Sequence, residues 1–458
     1  MRKYYAFIFL VSIFLVVLIL KDANWIIGDD YQFLITTAIN KIIVGGMENG
    51  RYYPLGFFDY NILLLLPYGH TPLAHYIYVS ITCLTSIILF VFLINLIIEK
   101  RNGGIMAYYF MVLVCSSGFC RVNMHIIFPE RIIITGLSVF MVCYFYALKT
   151  DKLIYYVLGF LCASYLSYCK EPIFGAFLVI AITNLIFNRQ KRKHFYFNCA
   201  LITNAIIYIT QWYFLVARNS TKFYSHYGVI NNIFEATKFA AIDSERILIA
   251  IFILSLVRGY FVFIKKDQNH LFLDSLLFFS ASYALAFIKL YLVAGYYFVP
   301  SVLTALPSFA YWTKVGIEKR KTFTTISAVI FMTYFTLYNI NRSVHWINAI
   351  QEKRKTDMET VEKLSEFIRK GIPFYLFDNK SVIYSDYMLN VWTVFFNYFL
   401  KEEVHIQKIE ETSIPDYGVI LYPTPDIQAV GIINELTRKG FKFWDRKAVT
   451  NFYIKSHH

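Results

Sequence analysis

Charge is what this sequence has least of. Asp, Glu, Lys and Arg make up only 16% of its 458 residues, against 57% hydrophobic and 19% aromatic. Soluble domains carry about a quarter charged residues. The shortage, with long apolar runs repeated along the chain, excludes an ordinary soluble domain and points to a polytopic membrane protein. Paired cysteine chemistry is missing too. The seven cysteines (Cys83, Cys115, Cys120, Cys143, Cys162, Cys169, Cys199) fall in or beside apolar segments, with no CxxC pair and no Cys/His set at zinc spacing. They read as small buried hydrophobes. No internal repeat is visible, and few charges lie in the middle of an apolar run, which speaks against a transporter built on inverted repeats. The net charge of +14 would suit a nucleic-acid partner. Much of it, however, lies in short Lys/Arg clusters between apolar segments, where topology signals belong, so no nucleic acid is expected.

A spanning helix needs about 20 mostly apolar residues. Eleven segments qualify as candidates: 4–20, 74–98, 104–119, 132–148, 153–169, 172–188, 196–216, 246–264, 271–288, 295–313 and 322–340. The first resembles a signal peptide, but "LKDANW" is a poor cleavage site, so a retained helix with a cytoplasmic N-terminus is expected. Alternate loops then hold Lys100/Arg101, Lys149/Lys152, Arg189 with Lys191–Lys193, Lys265/Lys266 and Lys314 with Lys319–Lys321. That is the positive-inside pattern, with the intervening loops outside. Trp25, Trp212 and Trp312 suit an interfacial belt. The expected organisation is a membrane domain over 1–340 and a small external α/β domain over 341–458. In the latter, "IPFYLFD", "EVHIQKI" and "YGVILYP" read as strands, and "DMETVEKLSEFIRKG" and "DIQAVGIINELTRKG" as helices. Residues 387–400 are too few to span and read as a packed helix.

The first external loop, 21–73, is too long to be a connector. It opens on "GDDY", with Asp29 and Asp30 adjacent. Asp30 is placed to cap a helix over 31–43, and Gly45-Gly46 to stop it. "NGRYYPLG" turns around Arg51 and Pro54, and "FFDYNILLLL" is a short apolar segment. Two helices lying along the membrane surface fit this pattern. The whole arrangement resembles the GT-C class of integral-membrane glycosyltransferases: a first helix, an oversized acidic loop, many spans and an external C-terminal domain. "GDDY" followed by "NGRYYPLG" is similar to the DD…GR first-loop pattern of bacterial members.

Three further external turns agree with the resemblance. They are "FPERI" with Glu130 and Arg131, "SYCKEPIF" with Lys170 and Glu171, and "FIKLYLVAGYYFVPSVL" with Lys289 and an aromatic-Pro segment. The resemblance implies a polyprenyl-phosphate sugar as donor, a glycan or lipid-linked acceptor, inversion at the sugar carbon, and a bacterial inner-membrane setting. Some members use a divalent cation, Mg or Mn, which carboxylate oxygens would hold; no metal motif is legible. In such an enzyme Arg51, Arg131, Lys170 and Lys289 would bind the lipid phosphate and offset its growing charge. Asp29 or Asp30 would take the acceptor proton. Asp59 is a weaker candidate base.

Structural readings stand beside these. Asp30 alone satisfies a helix cap; Glu130/Arg131 and Lys170/Glu171 suit interfacial anchors or ion pairs. Arg258 and Asp274, near inner ends, read as snorkelling side chains. His125 and His226 lie in external loops with no metal partner at useful spacing; His226 in "FYSHYG" is a candidate sugar contact. The amphipathic stretch 231–246 is an interfacial helix or a segment that orders over donor. A flippase and an O-antigen polymerase or ligase are the competing functions.

Overall fold

The computed structural model of the chain describes all residues except Met1, Asp29, 31–32, 34–41, 47–50, 100–101, 188–191, 220–231, 320–321, 378–384, 402–403, 411–412, 424–429, 448–449 and 456–458. Each apolar segment forms a helix. In chain order these are α1 (Arg2–Leu20), α2 (Pro72–Ile97), α3 (Gly103–Val114) with α4 (Ser117–Met124), α5 (Glu130–Thr150), α6 (Leu153–Ser167), α7 (Ile173–Phe187) and α8 (Arg192–Leu215). A short α9 (Ile233–Lys238) and a π-helical turn (Phe239–Ser244) precede α10 (Ile247–Gly259), α11 (Leu271–Lys289), α12 (Val299–Glu318) and α13 (Thr322–Arg369).

Five of these stretches, among the described residues, are long and apolar enough to cross a membrane alone: α1, α2, α5, α10 extended to Ile264, and α11. Segment 104–119 differs from a single straight span. Here α3 and α4 meet at a 62° bend. Ser116 at the break is extended, and its hydroxyl donates to Glu245 Oε2 at 2.9 Å. Gly118 lies so near the Gly295 carbonyl that a Cβ would collide with it. A side chain there would push the bend apart.

Contacts divide the chain into two units. The first is Met1–Lys21, Ile42–Pro67 and Ala74–Ala349; the second is Asp22–Lys41, Tyr68–Leu73 and Ile350–His458. The boundary expected at 340/341 therefore falls inside α13, whose 48 residues contain no Gly or Pro to break it. Segments 22–41 and 68–73 group with the C-terminal residues rather than with 1–340. The reason is local. Trp25, Ile26 and Ile27 are buried, and the Ile27 N–H donates to Asp357 Oδ2 at 2.9 Å.

The second unit holds a five-stranded sheet in the order β2-β1-β3-β5-β4. Its strands are β1 (Phe374–Phe377), β2 (Gln407–Ile409), β3 (Gly418–Pro423), β4 (Lys442–Lys447) and β5 (Thr450–Lys455). β1 runs parallel to β2 and β3, while β5 is antiparallel to β3 and β4. The core gathers Phe377, Ile420, Tyr422, Leu436 and Tyr453. Segment 387–400 is packed, as its length requires: helix α14 (Ser385–Leu400) buries Trp392 and Phe396, and Trp392 Nε1 donates to Thr450 at 3.2 Å.

Candidate active site

The second half of the first loop is stitched onto the other loops within the first unit. Gly45 N–H donates to the Pro54 carbonyl at 2.9 Å, and Tyr53 N–H to the Gly46 carbonyl at 3.0 Å. A Cβ on Gly45 would overlap the Tyr53 carbonyl, so glycine is what lets the two segments meet. From there Leu55 N–H reaches the Tyr168 carbonyl (3.0 Å). Tyr208 Oη donates to the Tyr52 carbonyl (2.6 Å) and Tyr60 Oη to the Ile126 carbonyl (2.8 Å). The turns carrying Arg51, Glu130/Arg131 and Lys170/Glu171 are thereby brought together.

Their charges pair across turns, not within them. Lys170 Nζ lies 3.1 Å from Glu130, Arg51 Nε 3.1 Å from Glu171, and Arg131 Nη2 2.5 Å from Asp59. Glu171 also accepts the Tyr52 N–H at 3.1 Å. Burial pushes the Glu171 carboxyl up, but Arg51 and Lys170 outweigh it and hold it below the usual range. Burial likewise pulls Arg51 and Lys170 down, and their carboxylate neighbours more than reverse it. All three groups stay ionised near neutrality. The tyrosines Tyr53 and Tyr297 face the Lys170 ammonium at 5.4 and 4.9 Å, and Tyr53 faces the Arg51 guanidinium at 4.6 Å.

Beside the Arg51–Glu171 pair runs an apolar groove of about 460 Å³ lined by Glu171, Phe174, Tyr208, Trp212 and Lys289. Lys289, at the end of α11, is exposed and makes no ion pair among the described residues. Arg131 is different. It is 0% exposed, sandwiched under Tyr60 (4.4 Å) and Tyr78 (5.1 Å), with Nη1 on Thr82 Oγ1 at 3.3 Å. Its pair with Asp59 fastens the 3₁₀ turn Phe58–Leu65 to α5. Breaking a buried pair from one side strands the other charge, at a cost of about 3–5 kcal/mol. Asp59→Asn is expected to lower the unfolding temperature in detergent sharply; an unchanged melt would show the pair contributes no stability.

Asp30 lies in the second unit and is fully buried. Its Oδ2 accepts the Ile26 N–H at 2.8 Å and its carbonyl accepts the Phe33 N–H at 3.1 Å. Asp29 and His226 lie outside the described residues. So does most of the helix expected over 31–43. Among the described residues no three His, Cys, Asp or Glu side chains gather to hold a metal ion. Arg258 pairs with Asp274 at 2.7 Å and Asp267 at 3.2 Å, a structural cluster.

One acid escaped the sequence reading. Glu245, fully buried after the π-helical turn, accepts from Ser116 Oγ at 2.9 Å and from Asn339 Nδ2. Burial pushes its carboxyl up to about 7, against the hydrogen bonds that favour the anion. Nothing in "AIDSER" marks it except an acid at the start of a span. A raised folded pKa means the folded state binds the extra proton between the unfolded value and about 7. Its stabilising effect is therefore complete at low pH and is lost as pH rises through 7, by about 3 kcal/mol. Glu245→Gln is expected to flatten the fall in melting temperature between pH 5 and 8; an unaltered slope would contradict this.

Neither a protein family nor a curated protein sequence matches the chain. Among solved structures it is similar to ArnT from Cupriavidus metallidurans bound to undecaprenyl phosphate, with a TM-score of 0.53 over 98% of both chains. The chain has a GT-C-type fold. At 9% identity the likeness is one of fold, and the side chains must be argued from their own geometry. The fold is helical, with five stretches among the described residues long and apolar enough to cross a membrane and a small C-terminal sheet.

Proposed function

We propose that the chain is a membrane glycosyltransferase moving a sugar from a polyprenyl-phosphate donor to an acceptor hydroxyl at the external face of a bacterial inner membrane. The observation that carries this reading is the apolar groove walled by Glu171, the partner of Arg51, and by Lys289, with Lys170 next in sequence to Glu171. An isoprenoid chain suits the aromatic wall of Phe174, Tyr208 and Trp212, and its phosphate suits Lys289 on the same wall and the cations beside Glu171. The similar fold of ArnT, solved with undecaprenyl phosphate, lends support.

In the reaction the acceptor oxygen attacks the anomeric carbon as the bond to the phosphate oxygen breaks. The electron pair leaves with polyprenyl phosphate, and the hydroxyl proton passes to a carboxylate. A single in-line displacement inverts the sugar carbon. Lys170, Arg51 and Lys289 offset the charge that grows on the leaving phosphate. Arg131, buried against Asp59, is assigned to the scaffold instead. Asp29 is assigned as the base, because the Asp30 carboxylate already holds the Ile26 N–H. The charge pattern of the loops supports placing these turns, and the C-terminal unit, outside. For a divalent cation, chelation with EDTA decides whether turnover needs one.

The test is sugar transfer by purified protein in detergent, supplied with a polyprenyl-phosphate sugar. Release of polyprenyl phosphate with a glycosylated acceptor is expected. A protein that instead moves the lipid between leaflets of a vesicle, with no bond cleaved, is a flippase.

A further inference from the structure

A second apolar cavity lies in the first unit, separate from the groove. It measures about 430 Å³ and runs between α10, α12 and the first part of α13, with the buried Tyr109 of α3 on its wall. Its two hydroxyls, Tyr109 and Thr313, bond to each other at 2.6 Å, which leaves the interior apolar. Ile253 and Val257 of α10 and Phe331 of α13 line it and are exposed, so it opens sideways. Because α10, extended to Ile264, is long and apolar enough to cross a membrane, that opening faces lipid rather than water.

Along α12 the lining changes character. Phe309, Trp312, Gly316 and the C-cap Lys319 follow at spacings of three and four and share one face. They lead from an apolar ring to an indole to an ammonium over about 15 Å. The Trp312 Nε1 is enclosed and makes no hydrogen bond among the described residues, although its ring packs on the Arg258 guanidinium at 4.5 Å. An enclosed N–H without an acceptor is costly. The Arg258 charge is met by Asp274 and Asp267. Lys319 is exposed and makes no ion pair among the described residues. Its neighbour Glu318 lies 3.8 Å from Lys314, which also holds Glu99 at 3.1 Å. Arg320 and Lys321 follow Lys319 in sequence. Basic residues at a membrane surface favour anionic over zwitterionic headgroups. A phospholipid presents acyl chain, ester carbonyl and phosphate in the order of this wall. We infer that the cavity is a binding site for an anionic phospholipid, with an acyl chain between α10 and α13, an ester carbonyl at the Trp312 indole and the phosphate at Lys319. The turn bearing Tyr297 precedes α12 and Lys319 follows it, about 30 Å away along the helix, so this site is remote from the candidate active site. It does not depend on the glycosyl-transfer reading.

The experiment uses the full-length protein in phosphatidylcholine nanodiscs. The probes are phosphatidylglycerol and phosphatidylcholine brominated on their acyl chains, since bromine quenches a nearby indole. Subtracting the signal of Trp312→Phe isolates one of the six tryptophans. Trp312 is expected to be half-quenched at about a fivefold lower fraction of phosphatidylglycerol than of phosphatidylcholine. Lys319→Gln, at an exposed position, is expected to abolish that preference. Val257→Phe, at the opening, is expected to weaken quenching by both lipids. Should Trp312→Phe fail to fold, native mass spectrometry decides instead: the wild-type protein should retain phosphatidylglycerol over phosphatidylcholine, and Lys319→Gln should not. Equal quenching or retention of the two lipids, or a preference that survives Lys319→Gln, overturns the inference. So does quenching indifferent to Val257→Phe, or a Trp312 shielded from both lipids, as a second copy of the chain seated on this face would leave it.

Discussion

Asp29→Asn is expected to lower the rate of sugar transfer by about 10²–10⁴-fold, the range lost when a positioned general base is removed. Donor binding should change little, because a base acts on the acceptor proton and not on the lipid phosphate. Asp30→Ala makes the contrasting case. It removes the acceptor for the Ile26 N–H in a fully buried stretch. Leaving a buried donor unmade costs about 1–3 kcal/mol. Its main signature should be a lower melting temperature, with the surviving folded protein still turning over. The opposite result, an inactive but stable Asp30 variant beside an active Asp29→Asn, would exchange the two roles. Wild-type transfer by the Asp29→Asn/Asp30→Asn double variant would remove both acids from the chemistry.

Loss of the Lys170 charge is the second large effect. A preorganised donor aimed at developing charge is worth about 10²–10³ in rate. Lys170→Gln alone is an ambiguous test, since it strands Glu130, whose carboxylate is fully buried. The informative protein is Lys170→Gln/Glu130→Gln, which removes both charges and keeps two polar side chains in the same space. It should melt close to wild type and still lose transfer by that factor. Recovery of activity along with stability would make the pair a strut and nothing more.

Much of this account is legible in the sequence because membrane constraints are one-dimensional. An apolar run must become a helix wherever water is absent, and each of the eleven runs does. The second half of loop one meets loops two and three and the turn before α12. The pairing was less readable. Lys170 and Glu171 are neighbours in sequence, yet each finds its partner on another turn, and adjacency in a chain says little about adjacency across a loop cluster. The 62° bend at Ser116 depends on Glu245 and Gly295, far away in sequence, so no local pattern announces it. The extension of α13 through residue 340 is legible in the lack of any Gly or Pro there, although the apolar run stops earlier. The grouping of residues 22–41 with the C-terminal part rests on such contacts as Ile27 to Asp357, which periodicity does not reveal.

The central claim is that a polyprenyl phosphate binds in the groove walled by Glu171 and Lys289, with Lys170 beside Glu171 in sequence. Native mass spectrometry of the purified protein with undecaprenyl phosphate tests it most directly. The wild-type protein should retain one lipid. The Lys170→Gln/Glu130→Gln/Lys289→Gln variant, folded by its melting temperature, should lose at least about tenfold in affinity. Equal retention by the two proteins would contradict the account.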